Sequence, residues 1–233
     1  MQALEKALEE KEISKAEQLL EAQTAHYWEE KNYDSRSYYP PYVGWVALLS
    51  KDADAAAADC SDFVKRLESL SDDAAILRQA WLESSSFFEI VGKTAEAFEQ
   101  NKTALAYTEK WEGARGEYFG LVYANMGTYS SRLGDLPAAS KYYHESLRQY
   151  LSDPNTKKES LQIIYNSLGG SMWYASKLDS ARYFYNKALE TLEEMEDTPR
   201  NLYYRPAILN NNIAAILSME GKPTESMEAM KSC

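Results

Sequence analysis

The chain has 233 residues, long for one compact core and short for three domains. Its 25 Lys+Arg against 36 Asp+Glu give a net charge of −11, which excludes a non-specific binder of nucleic acid or anionic membrane, since both need clustered cations. Apolar residues at 45% can fill a core, and 10 Gly and 7 Pro beside 18 Tyr and long Ala/Leu/Glu/Lys stretches read as a helical chain.

The first stretch, MQALEKALEEKEISKAEQ, is charged from Glu5 onward and lacks the apolar run of a secretory signal, and no later stretch approaches membrane-spanning length. Cys60 and Cys233 suggest no disulfide framework, so a reducing, cytoplasmic setting is expected. From here a short pattern recurs six times: a break, a polar pair, then a small residue opening a second apolar stripe. It reads KEISKA (11–16), KDADAA (51–56), GKTAEA (92–97), GDLPAA (134–139), SKLDSA (176–181) and GKPTES (221–226). The closing residues, Ala16, Ala56, Ala97, Ala139, Ala181 and Ser226, are spaced by 40, 41, 42, 42 and 45. A second small residue precedes the last five by twelve positions: Gly44, Ser85, Gly127, Gly169 and Ala214. Two small residues flanking a turn let antiparallel helices approach closely. Larger residues flank them at helical spacing: Trp81, Tyr123 and Tyr165 before the turn, Cys60, Tyr143, Tyr185 and Met230 after it. The prediction is an all-α chain of about six antiparallel helix hairpins in one array over residues 1–233. The approximate repeats are 1–35, 36–75, 76–117, 118–158, 159–202 and 203–233, with both terminal hairpins incomplete.

The pattern resembles the tetratricopeptide repeat (TPR), whose consensus sets an aromatic, Leu-Gly, Gly-Asp-Tyr, Ala, Tyr and Ala-Leu at these offsets. The best matches are YANMG…GDLPAASKYYHESL (123–147) and YNSLGG…KLDSARYFYNKALE (165–190). The first two segments match poorly and the consensus proline is missing throughout. Repeats here exceed the usual 34 residues by about seven, with the surplus in SDPNTKKES (152–160) and EDTPRNLYYRP (196–206). Longer repeats of this kind are similar to those of kinesin light chains and of bacterial signalling arrays, including arrays that precede caspase-like CHAT proteases.

No catalytic, metal or cofactor constellation emerges. His26 and His144 are the only histidines and sit in no zinc-ligand spacing. Cys60 falls on a core position, and Gly169–Gly170 lies inside a helical pattern, unlike a phosphate loop. The acidic runs LEEKE (8–12) and TLEEMED (191–197) read as solvated helix faces.

The resemblance implies a right-handed α-solenoid with a concave groove lined by the first helix of each hairpin. The positions before the Leu-Gly pair read Ala124-Asn125, Asn166-Ser167 and Asn211-Asn212, so an asparagine recurs in three repeats. An amide both donates and accepts, so such a ladder suits the backbone of an extended peptide; bonds to neighbouring helices are the competing explanation. Glu83, Thr128, Arg132, Trp173 and Tyr174 are further inner-face candidates, the last two as an aromatic anchor or as packing. The carboxylate clamp of chaperone-tail binders is not supported, because its cation positions carry Ile163, Asn166 and Ile208, and Arg132 alone is basic nearby. The expected function is a non-enzymatic, cofactor-free protein- or peptide-binding scaffold that takes neither nucleic acid nor membrane. The alternatives are a regulatory array controlling an attached effector (a CHAT-type protease, kinase or transcriptional regulator) and an oligomerisation module stacking through uncapped ends.

Overall fold

A computed structural model describes residues 2–30 and 38–231, with backbone alone at 26, 27, 29 and 30; the side chain of His26, and all of Cys233, lie outside the described residues. The described residues form helices and no strand. The chain divides into two compact units, Met1–Ala114 and Arg115–Cys233.

The first unit holds α1 (Gln2–Glu9), α2 (Ile13–Glu30), α3 (Pro40–Leu48), α4 (Ala53–Glu68), α5 (Ala74–Ile90) and α6 (Thr94–Lys110). The second holds α7 (Gly116–Arg132), α8 (Leu136–Ser152), α9 (Lys158–Tyr174), α10 (Leu178–Leu192), α11 (Arg205–Met219) and α12 (Pro223–Lys231). Each unit is three consecutive hairpins, α1–α2, α3–α4 and α5–α6, then α7–α8, α9–α10 and α11–α12.

The six recurring segments are the hairpin turns. Five of them open on a residue in the left-handed region: Lys11 (φ 55°), Gly92 (83°), Gly134 (84°), Ser176 (58°) and Gly221 (75°). That conformation lets the next N–H reach back five residues to cap the first helix. The bonds are Glu12 N–H to Ala7 O (2.9 Å), Lys93 to Phe88 (2.8 Å), Asp135 to Ser130 (2.9 Å), Lys177 to Met172 (2.9 Å) and Lys222 to Leu217 (2.9 Å). The α3–α4 turn is built otherwise: Lys51 N–H donates four residues back to Ala47 O (2.8 Å), and Asp52 caps α4 by accepting from Ala55 N–H.

The small positions close the hairpins. Ala16, Ala56, Ala97, Ala139, Ala181 and Ser226 are all buried. Ser226 Oγ donates to the carbonyl of Ala214, twelve residues earlier, at 2.8 Å. A Cβ on Gly127 would lie 2.5 Å from the Tyr143 ring, and one on Gly169 2.5 Å from the Tyr185 ring. Glycine at these two sites therefore makes room for an aromatic from the second helix of the same hairpin. Burying a side chain of that size stabilises by roughly 2–3 kcal/mol. In the first unit a Cβ on Gly44 would instead meet Phe87 of α5 at 2.3 Å, and Cys60, at the position of the two tyrosines, reaches Ser84 Oγ at 3.4 Å. One core cluster joins Leu4, Ala7 and Ala16 of the first hairpin to Val46 of α3 in the second. The second unit's core runs through Ile164 and Leu168 to Leu209, Ile213 and Leu217.

One expectation needs correction. Met230, placed on a buried stripe by its spacing, is 49% exposed. Within the surplus at 196–206, Arg200–Tyr204 forms a π-helical turn that runs into α11, and Pro206 belongs to that helix's first turn, where its missing N–H costs nothing.

Candidate functional site

Within the second unit, α7, α9 and α11 carry no charged residue over 118–131, 160–174 and 206–219. Their hairpin partners keep the charges, such as Lys141, Glu145 and Arg148 on α8. These three helices frame a cavity of about 320 Å³, into which Asn166, Ser167, Trp173 and Tyr174 of α9 and Asn212 of α11 project, facing Ser131 of α7. Tyr143 of α8, Tyr185 of α10 and Gly170 and Ser171 of α9 complete the lining. No lining residue is charged.

Four sequence candidates thus share one cavity: Asn166, Asn212, Trp173 and Tyr174. Tyr174 is 73% exposed and free to cover a ligand, whereas Trp173 is half-buried and packs against the core of Tyr185, Leu209 and Ile213. Thr128 supports the wall: it donates to Ala124 O at 3.1 Å and accepts from the Tyr143 hydroxyl at 3.4 Å. Arg132 is exposed at the end of α7 and lies outside the lining. Asn125, partly buried, and Asn211, exposed, also lie outside it. The asparagines are not one ladder. Counted from Gly127, Gly169 and Ala214, Asn125, Ser167 and Asn212 share one register, while Ala124, Asn166 and Asn211 share the next. One residue is about 100° around a helix, so Asn125 and Asn166 point differently. Glu83 belongs to the first unit, where it accepts from Gln79 Nε2 at 2.7 Å and burial raises its pKa.

The electrostatics hold the phenols neutral. Burial raises the Tyr143 pKa, against smaller opposing effects of the Thr128 bond and the Arg132 charge. Tyr185, 2% exposed, is pushed up to about 12, first by burial and then by Tyr174. The cavity therefore offers neutral hydroxyls and amides that both donate and accept. Tyr143 and Tyr185 could have been found in the sequence, because each stands sixteen residues after a glycine of the repeat. Ser131 carries no such signal.

Elsewhere, Cys60 is fully buried and its thiol is pushed up to about 12 by burial, partly offset by the Ser84 bond. His144 is exposed, with Nδ1 2.8 Å from Ser140 O. Among the described residues no group of three or more His, Cys, Asp or Glu could hold a metal ion, and no helix is long and apolar enough to cross a membrane.

Residues 118–194, from α7 to just past α10, match the family model for the tetratricopeptide repeat. The match spans these two hairpins, 77 of the 233 residues. Solved structures extend the likeness in fold along the chain. BtubC (BKLC) from P. vanneervenii superposes with a TM-score of 0.76 at 17% identity, over 97% of this chain and 89% of that one. Nearly identical TPR-like repeats of a Podosopora anserina protein give 0.62 at 11% identity, covering 86% and 94%. YrrB, described as a TPR protein with an unusual peptide-binding site, gives 0.53 at 16% identity, covering 91% of each chain. At such identities the likeness is one of fold alone. No curated protein matches the sequence.

Proposed function

We propose that the chain is a non-catalytic TPR scaffold that binds an extended protein segment on the face of α7, α9 and α11. The observation that carries this reading is the uncharged cavity shared by Asn166, Asn212, Trp173 and Tyr174. A peptide backbone presents alternating N–H and C=O groups and no charge, which asparagine amides and neutral hydroxyls match without reading side chains. Tyr174 supplies an exposed aromatic face for one ligand side chain. About one helical turn before Asn166 and Asn212, Ile163 (48% exposed) and Ile208 (41%) add apolar surface where a carboxylate clamp would need cations. YrrB provides a precedent for peptide binding on this fold.

Selection of a displayed peptide library on the intact chain tests the proposal. Enriched peptides should bind Asn166→Ala and Asn212→Ala about tenfold more weakly per substitution, the worth of a buried hydrogen bond. Hydrogen exchange should show both variants folded. Enriched peptides that bind the double variant undiminished would refute the assignment, as would no enrichment at all.

A further inference from the structure

A second cavity, of about 580 Å³, lies where α9 begins and α10 runs toward α11, and it shares no residue with the first. Its lining charges are Lys157, Lys158, Arg200 and Arg205 against Glu159, Glu194 and Glu196. Two of the carboxylates are already engaged: Glu159 accepts from Arg205 Nη2, and Glu194 pairs with Lys158 at 2.5 Å. Lys157 and Arg200 are exposed and make no ion pair among the described residues.

Arg205 is the decisive residue. It is 7% exposed, yet Nη1 is buried with no hydrogen-bond partner, so half of its planar fork is unused. A buried guanidinium N–H without an acceptor is unfavourable, and the fork geometry fits the paired oxygens of an oxyanion. The start of α9 adds to this: Lys157, Lys158 and Glu159 line the cavity, and no side chain from Lys157 caps that 17-residue helix. Two uncommitted cations and a half-used guanidinium outnumber the one lining carboxylate without an ion pair among the described residues, Glu196, and together suit a doubly charged group better than a single carboxylate.

We propose that this cavity is a phosphate-oxyanion site, with Arg205 as the buried anchor and Lys157 and Arg200 as the outer cations. The test titrates the intact chain with inorganic phosphate at constant ionic strength, following the thermal midpoint and the heat of binding. Phosphate should raise the midpoint above that in matched chloride. Lys157→Gln/Arg200→Gln, two exposed changes that leave the Arg205–Glu159 pair intact, should weaken binding at least tenfold. Lys141→Gln/Lys177→Gln removes the same charge elsewhere and should leave binding unchanged. Phosphoserine amide separates the sources: affinity equal to that of inorganic phosphate indicates a phosphorylated protein ligand, and binding of inorganic phosphate alone indicates the free ion. No midpoint shift beyond chloride, equal weakening in both double variants, or acetate binding as tightly as phosphate would each overturn the proposal.

Discussion

Residues 1–114 and 115–233 each make three hairpins, but they reach that result with different chemistry. The first unit carries 12 Lys+Arg against 22 Asp+Glu, a net of −10, whereas the second carries 13 against 14, a net of −1. Nearly all of the chain's acidity therefore belongs to one unit, and the uncharged cavity belongs to the other. The packing differs in the same way. In the second unit Gly127 and Gly169 receive Tyr143 and Tyr185 from their own hairpins. In the first, Gly44 receives Phe87 from a different hairpin, while the two tyrosine positions are filled by Cys60 and Asn101, both fully buried. The repeat is thus a volume rule, one small residue against one larger partner, and the consensus is one way of obeying it.

The largest effect should come from breaking the glycine–tyrosine contact. A Cβ at position 169 would already stand 2.5 Å from the Tyr185 ring, so Gly169→Val, which adds two methyls beyond it, should cost about 3 kcal/mol. Gly170→Ala is its control: there a Cβ would lie 3.8 Å from the Tyr185 hydroxyl, so the better helix propensity should raise stability by up to about 1 kcal/mol. Chemical denaturation of the intact chain, with hydrogen exchange resolved by helix, checks both. The loss should appear in α9–α11 and not in α1–α4.

Next come the turns. Gly134→Ala forces a side chain into φ 84° and should cost about 1–2 kcal/mol, whereas Ser176→Gly relieves the same strain at φ 58° and should return about 0.5–1 kcal/mol. Equal thermal midpoints for these two variants would contradict the capping role.

Cys60 reads out the first unit separately. With Cys233→Ser to remove the other thiol, labelling of Cys60 between pH 7 and 9 should proceed only through opening of α3–α6, because burial holds the folded thiol near 12. Labelling at the rate of a free thiol would mean that this core is open. The smallest effect belongs to Glu83. A carboxyl whose folded pKa is raised binds protons more tightly folded than unfolded, so its contribution weakens as pH rises from the unfolded value through the folded one. Glu83→Gln should accordingly stabilise the first unit at pH 7 by less than about 1 kcal/mol, an effect screened by partial exposure, and should flatten that pH dependence.

The repeat phase was legible because small residues recur at a fixed separation, and Ser226 bonding to Ala214 shows that the spacing encodes a contact. The candidate site was legible only in part. Asn166, Asn212, Trp173 and Tyr174 were reachable from register, but the asparagines alternate between neighbouring positions, and a one-residue offset turns a side chain away from its expected neighbour. The Arg205–Glu159 pair joins residues 46 apart across two connections of unequal length, which no periodicity specifies. The surplus around 157–160 and 196–206 was visible as length, while its buried guanidinium required three dimensions.

The six turns also say where this chain tolerates new material. Inside a hairpin the link is three residues long in five cases and four in the other, pinned by a cap bond or an Asp52 cap at each site. Between hairpins of the second unit the links are five residues (153–157) and twelve (193–204). The variation in repeat length therefore accumulates in those outer links, and a loop, tag or whole module grafted at 154–155 would be carried as cargo. The same graft at 134–135 would uncouple the two helices that define the repeat.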